Sequence, residues 1–173
     1  MICAVDTCFL IDWARYSKRD ILEKLFDYCF VTEDLLNEVK TEITLTYVAT
    51  LLAKGFLVFY PFKHELDPLV RQLIDISIRD PRIRVLDPPE AYALAIGIRE
   101  GATVLSENRG VIGIVRYYPQ YSSVIVWRSY ELLLEAYRRG VIENFEKELQ
   151  RYENETGHRF PRILRRRGKQ DRA

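Results

Sequence analysis

Asp6 closes the short apolar run Ile2 to Val5 and is followed at once by Thr7 and a second apolar stretch. A carboxylate in that place can cap a helix, ligate a metal or act as a nucleophile. Three other segments present oxygen ligands in comparable places. Glu38 comes after the run Cys29 to Val31, Glu90 opens an Ala-rich stretch, and Glu107 with Asn108 follows the run ATVL. Converging carboxylates repel and raise one another's pKa values. A hard divalent cation, Mg²⁺ or Mn²⁺, relieves that repulsion because such ions select oxygen ligands. Two ions ~3.5–4 Å apart activate a water and stabilise the leaving oxygen of a phosphodiester. Metal-dependent phosphodiester hydrolysis is therefore the chemistry such a cluster offers.

Each residue also has a plain structural role. Asp6 suits the N-cap of a helix starting at Thr7. Glu38 on an open helix face is an ordinary solvated acid. Glu90 is a first-turn acid favoured by the helix dipole, a role compatible with ligation. Asp87 is the better N-cap of that same helix. Arg109 follows the candidate site and could touch a phosphate, although a surface arginine is the default. His64 and His158 lie outside these segments, which argues against histidine acid–base catalysis. An aspartyl-nucleophile phosphatase wants a second Asp two residues after the first, where Cys8 stands. No GxGxxG or Walker loop is present.

The elements that must position these residues follow from apolar periodicity. Strands are expected over residues 1–5, 29–31 and 56–60, and in ATVL and SVIVW. Helices are expected over residues 7–16, in RDILEKLFDY, after Thr32, and over 43–54 with Gly55 as the C′ residue. Further helices are expected in DPLVRQLIDISI with Pro68 near its first turn, in DPPEAYALAIGIRE, in RSYELLLEAYRR and in IENFEKELQRYENET. Strands alternating with helices indicate an α/β domain with a mainly parallel sheet. Ligands of such sheets gather beyond the carboxyl ends of the strands, where the acids fall.

The stretches VDTCFLID, VTEDLLNEV and LDPPEAYALAIGIREGATVLSENRG, in that order, resemble the successive motifs of PIN-domain nucleases. VIVWRSYELLLEAYRRGVI resembles the end of a prokaryotic PIN subgroup, so the similarity runs from about residue 2 to about residue 150. It implies a three-layer α/β/α sandwich around a five-stranded sheet, a Mg²⁺ or Mn²⁺ site, endoribonuclease chemistry, and a toxin-like setting in which an antitoxin protein is a common partner. By position, Asp6, Glu38 and Glu90 match the first three acids of the family. The fourth place falls on Glu107 or Asn108, depending on register. Where many relatives carry Asp at the third and fourth places, this chain has Glu90 and the neutral Asn108. The alternative is a catalytically weak PIN-like domain that binds RNA or a protein.

The 173 residues suit one domain with a real core. Three cysteines without a CxxC pair argue against a disulfide framework and a zinc site, and suit a reducing cytoplasm. No apolar stretch has the length to span a bilayer, and no secretion signal is visible. The net charge of +1 hides an asymmetry: residues 1–158 sum to −5 and residues 159–173 to +6. The expected division is a body over 1–158 and a basic, flexible tail over 159–173. Arg165, Arg166 and Arg167 of that tail, with Arg109, are the candidate contacts to RNA. An antitoxin protein and a second copy of the chain are further partners to consider.

Overall fold

The computed structural model describes residues 1–161. At its centre are β1 (Ile2–Val5), β2 (Tyr28–Val31), β3 (Leu57–Phe59), β4 (Thr103–Leu105) and β5 (Val126–Trp127). They form one sheet in the order β3-β2-β1-β4-β5. Every pairing is parallel, with Ala4 opposite Phe30 on one side and Val104 on the other. The chain starts in the middle, builds outward to β3, then returns to the middle and builds outward to β5. The direction of winding changes between β1 and β4, and a crevice opens beyond their carboxyl ends.

Side chains alternate across a strand, and the two faces hold separate cores. Cys3, Val5, Cys29, Val31 and Leu105 pack with α1 (Thr7–Ala14), α2 (Ile21–Leu25), α4 (Glu42–Ala53), α8 (Ser129–Arg138) and α9 (Phe145–Thr156). Ala4, Phe30 and Val104 face α5 (Lys63–Arg79), α6 (Pro88–Glu100) and α7 (Arg109–Tyr117). The short α3 (Leu35–Glu38) follows β2. This is the expected α/β/α sandwich, with a sheet that is wholly parallel. Gly55 ends α4 at φ +70°, as its C′ role requires. Among the described residues no helix is long and apolar enough to cross a membrane.

Four expectations need correction. The helix α7 lies where none was expected, in RGVIGIVRY. Gly110 and Gly113 lower its intrinsic propensity, but Gly110 serves packing. A Cβ on Gly110 would stand 2.2 Å from the carbonyl oxygen of Arg84, whereas one on Gly113 would make only an ordinary contact with Ile83, at 3.4 Å. The helix α5 starts at Lys63, so Pro68 sits inside it and not in its first turn. Pro68 is exposed, and water can reach the carbonyl whose helical partner it removes. The N-cap of α3 is Asp34, with Thr32 donating its hydroxyl to the Asp34 carboxylate at 3.4 Å.

The last correction concerns the boundary at residue 159. Phe160 is buried, with its ring 5.7 Å from that of Tyr152 and 6.0 Å from that of Tyr130. Its backbone N–H donates to the Glu153 carboxylate at 2.9 Å. The folded body therefore reaches past Arg159, while Arg165, Arg166 and Arg167 lie outside the described residues. Replacing a buried phenylalanine by alanine costs ~3–5 kcal/mol. Phe160→Ala is expected to lower unfolding stability by an amount in that range. A urea titration that leaves the midpoint unchanged would show the segment to be dispensable for the fold.

Candidate functional site

Asp6 leaves the end of β1 at the switch point. Its backbone N–H donates to the Leu105 carbonyl of β4 at 3.2 Å. Its side chain caps α1, accepting the Phe9 N–H at 2.7 Å. The capping role and a place in a functional site therefore coincide in one residue. Asp6 is only 2% exposed. Burial pushes its carboxyl up to about 7, against the opposing pull of the Ser106 hydroxyl and the Phe9 N–H. The negative charges of Glu90 and Glu107 push it further in the same direction.

A cavity of about 670 Å³ opens above this point. The start of α1 gives it Asp6, Thr7 and Cys8; the α3 segment gives Asp34, Asn37 and Glu38. The N-terminus of α6 gives Asp87, Pro88, Pro89, Glu90 and Tyr92, and the first residue of α5 gives Lys63. Asp6, Glu38 and Glu90 thus share one cavity at one edge of the sheet. The exposed Cys8 thiol registers their combined charge: partial desolvation, then Asp6, Glu90, Glu38 and Asp12, push it up to about 11. It is a protonated, unreactive thiol at neutral pH.

The acids do not converge as closely as expected from the sequence. Among the described residues no three His, Cys, Asp or Glu side chains stand close enough to hold a metal ion. The local hydrogen bonds give the reason, because carboxylates that repel one another turn to nearby N–H groups. Asp6 is held by the first turn of α1. Glu90 reaches back from α6 and accepts the Asp87 N–H at 2.9 Å, so Asp87 is the N-cap that the sequence favoured.

Glu107 and Asn108 leave β4 in different directions, and neither lines this cavity. Glu107 accepts the Ser129 N–H at 2.7 Å and also the Ser129 hydroxyl, which ties it to the start of α8. Its other oxygen lies 3.8 Å from His158 Nε2. It remains near enough to Asp6 to raise the Asp6 carboxyl. Asn108 is the N-cap of α7, and its side-chain oxygen accepts the Gly110 N–H at 2.6 Å. Arg109 is exposed and lines a second, smaller cavity beside Glu107.

Sequence reasoning missed Asp34, Asn37, Lys63 and Tyr92. Asp34 was within reach of it, since the i,i+4 spacing to Glu38 puts both acids on one side of a helical turn. Lys63 carried no local signal. Its ammonium pairs with Asp34 at 2.8 Å and sits 5.0 Å from the centre of the Tyr92 ring. Tyr92 in turn donates its hydroxyl to Asp67 at 2.6 Å. The cavity is lined by five carboxylates and one ammonium, and that ammonium is already paired. An oxygen-rich donor set with excess negative charge fits a hard divalent cation and suits neither a soft metal nor an anion.

Comparison with known proteins agrees with this architecture. The family model DUF3368, a PIN domain, matches residues 2–170. Neither the comparison with curated proteins nor that with solved structures gave a match. The matched span takes in all five strands and each segment that brings an acid to the cavity. On that match, and on a parallel sheet that delivers acids to its switch point, the chain belongs to the PIN-domain family.

Proposed function

We propose that this protein is a metal-dependent endoribonuclease. The observation that carries the reading is the shared cavity of Asp6, Glu38 and Glu90, with its excess of carboxylates over the single Lys63 ammonium. Asp6, Glu38 and Glu90 would hold Mg²⁺ or Mn²⁺, with Glu107 adding negative charge from beside the cavity. The cation, when bound, supplies Lewis-acid polarisation of the scissile phosphate and activation of the attacking water.

The chain's own residues prepare the site for that event. The Phe9 N–H holds the Asp6 carboxylate in one orientation, so one oxygen ligand is fixed before anything binds. Asp34 and the Tyr92 ring hold the Lys63 ammonium at the cavity wall. There it can contact a non-bridging phosphate oxygen and draw an RNA strand into an otherwise repulsive pocket. Cleavage on this scheme leaves a 5′-phosphate and a 3′-hydroxyl.

One observation favours the weaker reading, a PIN-like domain that binds RNA and cleaves it poorly. The fourth acidic place is split between Glu107, which Ser129 engages, and Asn108, which caps α7. Both readings meet in one assay. Purified wild-type protein is expected to cleave single-stranded RNA only when Mn²⁺ or Mg²⁺ is added. Asp6→Asn is expected to lose at least the ~10–100-fold that even outer partners of a metal site cost. Equal cleavage by the variant would assign the activity to something other than this site.

The charge of Asp6 also has a consequence for stability without metal. Its carboxyl titrates near 7 when folded and near 3.9 when unfolded. The folded chain therefore holds a proton that the unfolded chain has released. Stability from this group is complete below about pH 4 and is lost as pH rises through about 7. Asn is as good an N-cap as Asp and carries no charge. In EDTA at pH 8, Asp6→Asn is expected to be more stable than wild type by roughly 2–4 kcal/mol. At pH 5 the difference should shrink to roughly 1.5 kcal/mol, and below about pH 4 the two should unfold at nearly the same urea concentration. A variant that is less stable at pH 8 would show that the buried carboxylate is not a source of strain.

A further inference from the structure

A second cavity, about 140 Å³, has Glu107 in its wall. Its walls differ in sign. Arg109 comes from the start of α7, Arg128 from the residue before α8, and His158 and Arg159 from the segment after α9. Tyr130 and Phe160 supply apolar wall. Arg128 is spoken for, since its guanidinium grips the Glu131 carboxylate through two nitrogens. Arg109 and Arg159 are both exposed, and among the described residues neither makes an ion pair. The Arg159 guanidinium donates to the Glu153 carbonyl at 3.3 Å.

Three separate segments thus bring cations to one notch, held in place by the burial of Phe160 against Tyr130 and Tyr152. The notch is too small for a nucleoside but suits a compact anion such as a phosphate group. Its wall includes Glu107, the acid whose charge also reaches Asp6. In sequence the chain runs on from Pro161 with Arg162, Arg165, Arg166 and Arg167, which continue the same sign of charge.

We propose that the Arg109–Arg159 notch is a subsite for a backbone phosphate of the RNA strand, distinct from the phosphate held at the carboxylate cavity. This rests on the reading of the protein as one that acts on RNA. It assigns to the notch most of the attraction, since the acidic cavity has only the Lys63 ammonium, already paired with Asp34. Arg109 and Arg159 bind the substrate away from the reacting atoms, so they contribute affinity and register to cleavage.

The test is binding of a fluorescein-labelled single-stranded RNA oligonucleotide in EDTA, followed by anisotropy over a range of salt. Arg109→Gln with Arg159→Gln is expected to weaken binding roughly tenfold and to flatten the log–log salt slope by about 0.7, the value for one phosphate contact on a single strand. Lys24→Gln with Lys54→Gln removes the same charge from the ends of α2 and α4, at the opposite edge of the sheet, and should change binding less than twofold. Arg109→Lys with Arg159→Lys should restore most of the affinity. Equal losses in the two glutamine pairs would reduce the effect to net charge and overturn the proposal, as would unchanged binding in the first pair. Inorganic phosphate titrated into ¹⁵N-labelled protein should shift the amides of residues 109 and 159. Shifts there without any RNA effect would mark a free-anion site and also overturn it. If wild type binds RNA through the notch but does not cleave it with Mn²⁺, the nuclease reading fails while the subsite stands.

Discussion

A buried carboxylate at the end of the central strand is the constraint on which the rest of the site depends. β1 is flanked on both sides by parallel neighbours, so Asp6 emerges with no open edge to turn toward. Its burial raises the cost of its charge, and the fold answers with the Phe9 N–H and the first turn of α1. Those hydrogen bonds offset part of the cost and leave the rest. That remainder is what makes the position useful, because a cation placed there would gain what the protein itself has not compensated.

The same logic explains the placement of the other acids. Glu38 ends α3 and Glu90 starts α6, and both lie at joints where a helix terminus meets the crevice. Glu90 serves the helix directly by accepting the Asp87 N–H, a favourable contact at the positive end of the helix dipole. A helix N-terminus can carry the Glu90 charge at little cost to the fold, while Glu38 at the last position of α3 has no such help. Asp6 and Glu90 each have a structural contact and keep oxygen lone pairs for a ligand. Structural and functional roles overlap here because both exploit the same partial charges.

Much of this was legible in the sequence where the signal was local. An apolar run ending in Asp, a Pro-Pro before Glu90 and a repeated strand–helix alternation were enough to give the sheet, its layers and three acids in one cavity. The failures share one cause, which is dependence on distant partners. α7 was hidden by Gly110 and Gly113, and the presence of Gly110 reflects the close approach of the Arg84 carbonyl more than helix propensity. Phe160 stood in a basic run, and its anchoring rings belong to α8 and α9. Lys63 became part of the site only through Asp34 and Tyr92. Glu107 and Asn108 are neighbours, and no sequence pattern chooses between them. The structure separates them because Ser129 takes one and Gly110 takes the other.

The separation of charge between the two cavities has its own rationale. Arginines placed inside the carboxylate cavity would pair with its acids, as Lys63 does with Asp34, and would compete with a divalent cation for the same oxygens. Arginines far from it would attract RNA without aligning it. Setting Arg109 and Arg159 in a separate notch avoids both outcomes. Glu107 lines that notch, tied to Ser129 and near His158, so that it neither collapses onto the arginines nor leaves the field felt by Asp6. On the proposed reading, a polyanionic strand would meet favourable charge near the acids before crossing them.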